Sequence, residues 1–216
     1  MKLRRLSLLD ALTVLVFGAA IVLFVRPGSE LHARAKYWLA IRAVEREIEK
    51  NWSTLVSGAM PLYEGSAEPQ IIEFSDYECP FCRASSSTVD SAVAAGIRVA
   101  LLHVPSEIHP QARTAAVLAI CAAGLGRFLD LHRYFMSATV WQIDSITTAY
   151  AANPDERIAR RFLKCVEEGE GERLLDRHRE LAELVGVFGT PLFASRRAVL
   201  RERPSIDALK ALAYAP

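Results

Sequence analysis

No stripe of basic residues runs through this chain, in which 26 Lys and Arg are set against 25 Asp and Glu over 216 residues. Nucleic-acid binding needs a concentrated positive footprint, so that class of function is set aside. Histidine is scarce, and His103, His109, His132 and His178 fall at no metal-ligand spacing, so they read as core or surface residues. Cysteine is scarcer, with four residues: Cys79, Cys82, Cys121 and Cys165. Only the first two are close in sequence. A zinc site wants about four ligands, and no second nearby pair supplies them. No metal and no cofactor is therefore assigned. A module holding Cu(I) or zinc on Cys79 and Cys82 stays as a rival from another class.

What the stretch from Leu6 to Val25 lacks is charge, since Asp10 is its only charged side chain in 20 residues. As a helix it would be about 30 Å long, the thickness of a bilayer's hydrocarbon core. Lys2, Arg4 and Arg5 precede it, and Arg26-Pro27-Gly28 follows. Positive charge at that end predicts a cytoplasmic N-terminus and an extracytoplasmic remainder. A cleaved signal peptide is the competing reading, with Gly18-Ala19-Ala20 as the small-residue site. Cleavage there would leave Ile21–Val25 as an exposed apolar N-terminus, so an uncleaved anchor is favoured. Both readings export the domain to an oxidising compartment, where cysteines can cycle through disulfides.

Residues 29–57 carry Leu31, Trp38, Ile41, Ile48, Trp52 and Leu55 at helical spacing, with charged residues between them. This predicts an amphipathic helix, packed on its own domain or standing as a stalk. A dimerisation helix is the sharper alternative, although Arg34 and Glu45 interrupt its seam. Residues 58–69 read as a loop punctuated by Pro61, Gly65 and Pro69. Ile71–Phe74 and Ile97–Val104 read as buried strands around a helix from Pro80 to Ala95. Helical patterns follow over 111–125, 128–138, 143–151 and 155–185. Leu192–Ala194 and Ala198–Leu200 then form a hairpin, and Ser205 caps a last helix through Tyr214. The order predicts an α/β layered domain with a helical insertion.

Cys79-Pro80-Phe81-Cys82 sits where the first strand passes into the first helix. Cys79 falls at the N-cap and Pro80 at the first helical position, where a missing N–H costs nothing. Free N–H groups there favour an anion, which lowers a cysteine pKa from about 8.5 into the range of roughly 3.5–7.5. Cys79 is thus the expected exposed nucleophile. Cys82, one turn further in, is the expected buried resolving thiol. Glu73 on the strand is either a proton relay for Cys82 or an ordinary, partly solvated residue. Arg83 either supports the thiolate or is an unremarkable exposed arginine.

The run Glu73-Phe74-Ser75-Asp76-Tyr77-Glu78-Cys79-Pro80-Phe81-Cys82-Arg83, with Val187-Phe188-Gly189-Thr190-Pro191-Leu192-Phe193 much later, resembles the thioredoxin superfamily. Within it the chain is most similar to DsbA-like thiol:disulfide oxidoreductases. The 109 residues from Cys82 to Pro191 leave room for the helical insertion of that group. The segment from Val104-Pro105 to His109-Pro110-Gln111 resembles the approach to it. Ser195-Arg196-Arg197 departs from the family's usual turn.

The resemblance implies a thioredoxin fold with a helical insertion at about 107–186, within a domain over 65–216. A juxtamembrane amphipathic helix and linker at 28–64 and a head and transmembrane anchor at 1–27 precede it. It implies a cis Pro191 beside the active cysteines and Thr190 offering backbone hydrogen bonds to substrate and touching Cys79. It places Glu73 as the buried acid and implies a structural disulfide between Cys121 and Cys165, for which two buried free thiols are the alternative. The implied partners are exported proteins with thiols or disulfides and a membrane redox partner that resets the cysteines. The bilayer would hold Leu6–Val25, and two copies could pair through the stalk helix. DsbA-like oxidation is the leading direction, with reductase or isomerase activity as alternatives. An anchored scaffold is a third class, disfavoured because it needs neither Pro191 nor Glu73.

Overall fold

The computed structural model describes residues 8–25, 28–201 and 203–215. The chain divides into two compact units, Met1–Ala43 and Val44–Pro216. The first unit holds helix α1 (Leu8–Val25) and the start of helix α2 (Glu30–Gly58). Large apolar side chains of α1, from Leu8 to Val22, are exposed. Among the described residues no helix is long and apolar enough to cross a membrane. Residues 1–7, which include the cationic head and the start of the expected Leu6–Val25 span, lie outside the described residues. Leu31, Tyr37, Trp38 and Leu39 of α2 are also exposed.

In the second unit a five-stranded sheet has the order β1-β3-β2-β4-β5. Its strands are β1 (Met60–Pro61), β2 (Ile71–Ser75), β3 (Val99–His103), β4 (Leu192–Ala194) and β5 (Val199–Leu200). β2 and β3 run parallel, joined by helix α3 (Pro80–Ala94), while the other pairs are antiparallel. Every residue of β2 and β3 is buried, without alternation, because both faces of the sheet are covered. On one face Ile71, Val99, Leu101 and Phe193 meet Cys82 and Val89 of α3 and Leu209 and Leu212 of helix α9 (Ile206–Ala213). On the other face Ile72, Phe74, Leu102 and Leu192 meet Ile48, Trp52 and Leu55 of α2. The amphipathic pattern of α2 thus acts within this unit as a packing face over its last turns.

Helices α4 (Ala112–Ala123), α5 (Phe128–Ser137), α6 (Ile143–Ala151), α7 (Glu156–Glu167) and α8 (Glu170–Leu184) lie between β3 and β4. α4 is buried almost throughout, from Ala115 to Ala122, as the centre of the insertion. α8 leads back to the sheet and places Leu181 and Val185 on the α2 side. The single helix expected over 155–185 is two helices. Gly169 takes a left-handed conformation (φ 71°) between them, which a residue with a side chain adopts at a cost. The expected loop at 58–69 contains the short edge strand β1, paired antiparallel to β3. The hairpin closes without an Asn-Gly turn through Ser195 N–H donating to the Ala198 carbonyl at 2.9 Å.

Candidate active site

β2 runs into a short turn at residues 76–78, and α3 begins at once. Cys79 is the N-cap residue with extended backbone (φ −63°, ψ 118°), and Pro80 occupies the first turn. No side chain caps this end, so its N–H groups face the Cys79 sulfur. Both thiols are free. The Cys79 thiol is lowered from its ordinary value of 9.0 to about 5. The main cause is the hydrogen bond from Cys82, opposed by burial and aided by the Cys82 N–H, the Thr190 side chain and the Phe81 N–H. In its protonated form Cys79 donates to the Thr190 carbonyl at 3.4 Å.

Cys82 is fully buried, and burial pushes its thiol far up, reinforced by hydrogen bonding to Cys79 and by the charge of Glu73. Glu73, 2% exposed, sits in the middle of β2 on the same sheet face. Burial raises its carboxyl to about 7, with Ser75 opposing and the charges of Asp90 and Cys79 adding to the rise. The partly solvated reading of Glu73 is thereby excluded. The pair is asymmetric: one thiol is ionised at neutral pH and the other is held protonated one turn away.

The exposure expected of Cys79 is not found, because the residue is only 5% exposed. It reaches solvent through a groove of about 1030 Å³ that Cys79 lines with Phe81, Ile108, His109, Phe188 and Thr190. The Val187–Thr190 segment forms one wall. Its position follows from the end of α8, where Gly186 (φ 73°) lets Gly186 N–H and Val187 N–H bond back to Glu183 and Ala182. The Thr190-Pro191 peptide is cis. Phe81, Ile108 and Phe188 stand exposed around the groove, large apolar side chains that the described residues leave open to solvent.

Several residues of this region carry functions that their sequence spacing hides. Asp76 is buried, and its carboxylate accepts from Glu78 N–H and Ser106 N–H (both 2.8 Å) and contacts His109 Nδ1 at 2.6 Å. This ties the active-site turn to the groove's opposite wall, and the bond to Asp76 raises the His109 pKa. Glu78 accepts from Gln111 N–H and Ala112 N–H (2.6 and 2.7 Å), capping α4 from outside the helix. Arg83 does not serve the thiolate. It donates to the Phe135 and Ala138 carbonyls (2.8 and 2.6 Å) at the end of α5. His103, His132 and His178, scattered in sequence, meet in a buried cluster with Tyr77. Their imidazoles are depressed chiefly by burial.

Cys121 of α4 and Cys165 of α7 are joined by a disulfide. Among the described residues no group of three or more His, Cys, Asp or Glu side chains is placed to hold a metal ion. Three comparisons bear on this architecture. A family model described as thioredoxin matches residues 60–213. The Na(+)/H(+) antiporter NhaA 3 of Salinispora tropica is 27% identical over 126 residues, 57% of this chain and 19% of the antiporter. A second antiporter, NhaA 1 of Salinispora arenicola, matches to the same extent, so the chain spans about a fifth of the length of the curated relatives it matches. A linker-deletion mutant of ScsC from Proteus mirabilis superposes with a TM-score of 0.69 at 15% identity, over 98% of this chain and 97% of that one. The thiol-disulfide exchange protein α-DsbA2 of Wolbachia pipientis gives 0.64 at 18% identity, over 79% and 94%. At these identities the structures establish a shared fold.

Proposed function

The chain belongs to the thioredoxin family, and on that premise we propose that it is a DsbA-like protein thiol:disulfide oxidoreductase working through Cys79 and Cys82. The observation that carries this is the split between the two thiols, one lowered to about 5 and the other pushed far up. Cys79 as a thiolate attacks, or is attacked in, a mixed disulfide with substrate. Cys82 is released as thiol or resolves the adduct. Thr190 and the cis Pro191 beside Cys79 present the backbone edge on which an extended substrate chain lies, and Glu73 exchanges the proton of Cys82. Pro80 and Phe81 shape the turn between the two sulfurs. A Wolbachia protein of the same fold carries the description of thiol-disulfide exchange, which supports the reading.

The preferred direction is oxidation of substrate. Stabilising the Cys79 thiolate stabilises the reduced enzyme and makes its disulfide a stronger oxidant. The groove's exposed apolar rim of Phe81, Ile108 and Phe188 suits unfolded exported chains, which show apolar side chains and unpaired thiols. The reading places the domain outside the cytoplasm, on the periplasmic side in a bacterium. There Leu6–Val25 inserts in the bilayer and a membrane redox partner resets the cysteines. Pairing of two copies through the exposed Leu31, Tyr37, Trp38 and Leu39 of α2 belongs to the same reading and is tested by mass in solution. The direction is tested by the reduction potential. A value near about −120 mV supports oxidation, and one near about −270 mV makes the protein a reductase.

A further inference from the structure

β2 presents Glu73 and Ser75 on one face of the sheet, two residues apart, and α3 covers that face with Cys82 buried in its first turn. Ser75 is 1% exposed, and its Oγ has no hydrogen-bond partner among the described residues. An unpartnered hydroxyl in a core is unfavourable, and a native structure that keeps one calls for a reason. The surroundings supply it. The Ser75 hydroxyl lies beside both acids and favours the ionised form of each, the Glu73 carboxylate and the Cys82 thiolate. Glu73 itself reaches Cys82 only through its charge. In the resting dithiol Cys82 keeps its own proton and does not ask for that of the serine. When either becomes an anion, the hydroxyl is free to rotate toward it.

We propose that Ser75 carries the proton between Cys82 and Glu73, a bridge that the strand face places between the two groups. The proposal rests on the reading of Cys79 and Cys82 as an exchange centre. When the enzyme becomes oxidised, Cys82 Sγ–H passes its proton to Ser75 Oγ as Ser75 passes its own to the Glu73 carboxylate. The Cys82 thiolate attacks Cys79 Sγ, the Cys79–Cys82 bond forms, and the bond from Cys79 to the substrate sulfur breaks. The substrate leaves as a thiolate with the electron pair. When the enzyme is reduced, a substrate thiolate attacks Cys79, Cys82 leaves as a thiolate, and protonated Glu73 returns the proton through Ser75. No other oxidant or reductant enters either direction.

The test uses the full chain with Ser75→Ala and Ser75→Thr, the latter keeping a hydroxyl. Alkylation of Cys79 by iodoacetamide reports the first sulfur alone. Release of glutathione from a preformed Cys79–glutathione disulfide reports the step that needs Cys82. Ser75→Ala is expected to leave alkylation unchanged and to slow release about tenfold at pH 7. The deficit should shrink above pH 9, where hydroxide takes the proton, and Ser75→Thr should restore the rate. Release by Ser75→Ala at the parent rate and with the parent pH profile overturns the proposal. If Ser75→Ala does not fold, as judged by circular dichroism, Ser75→Gly takes its place with the same expectations. If the Cys82→Ser chain forms no Cys79–glutathione disulfide at all, the exchange reading fails, a result distinct from failure of the relay.

Discussion

Acidification should remove the force that makes the reduced state of this protein favourable. The Cys79 thiol sits at about 5 against an ordinary 9.0. Because the folded value is the lower one, the stabilisation is complete above about pH 9 and is lost as pH falls through 5. At pH 7, midway between the two values, about half of it is realised, which corresponds to about 3 kcal/mol in favour of the folded dithiol. Cys79 opens on the groove, so solvent screening makes this an upper figure. For a two-electron couple it is equivalent to about 60 mV toward a more oxidising disulfide. The assay is the thiolate absorbance near 240 nm of the reduced protein across pH 3–10, with oxidised protein and Cys79→Ser as controls. A single transition near pH 5, absent from both controls, is expected, with a reduced-state melting temperature that falls from pH 7 to pH 4 more than that of the oxidised state. A midpoint at pH 8 or above, or a transition that survives Cys79→Ser, refutes the reasoning.

Other perturbations have equally definite outcomes. Replacing Cys121 and Cys165 together by serine opens a loop of 44 residues and should lower stability by up to roughly 4 kcal/mol in denaturant titrations, with exchange activity retained. Gly171→Ala would bring a Cβ to 2.7 Å from Cys121 Sγ and 2.9 Å from Val117 Cγ1. Its expected cost is about 1–3 kcal/mol despite the better helix propensity of alanine. Arg83→Ala frees the Phe135 and Ala138 carbonyls and should cost roughly 2 kcal/mol while leaving the Cys79 titration unmoved. His132 and His178 lie near 4 when folded against 6.5 ordinarily. They remain neutral above 6.5, and stability should fall between pH 6.5 and 4, by on the order of 3 kcal/mol for each at the lower pH. Substituting both by Leu or Phe should flatten that part of the denaturation profile.

The elements of the larger unit were largely legible because its apolar periods are strong and its turns carry Gly and Pro. The two-motif signature also located Cys79, Cys82 and Pro191, since an N-cap cysteine before proline has few other physical uses. What stayed hidden depended on tertiary placement. Gly169 breaks a charged helical pattern that by periodicity alone runs on to residue 185. Cys79 is sunk to 5% exposure because the Val187–Pro191 segment, over a hundred residues away, folds across it. The links from Asp76 to His109 and from Glu78 to α4 join residues 33 apart or more. The histidine cluster combines β3, α5 and α8, and no spacing in the chain announces it. The last turns of α2 belong to the core of the larger unit because Ile48, Trp52 and Leu55 find Phe74 and Leu102, a match set by the sheet.

The central claim is that Cys79 joins covalently to substrate and Cys82 releases it. The most direct measurement is to incubate the Cys82→Ser chain with a disulfide-bonded protein such as insulin and analyse it by non-reducing mass spectrometry. The account predicts a stable mixed disulfide mapped to Cys79, absent in Cys79→Ser and short-lived when Cys82 is present. An adduct that forms without Cys79, or none at all from a folded Cys82→Ser chain, contradicts it.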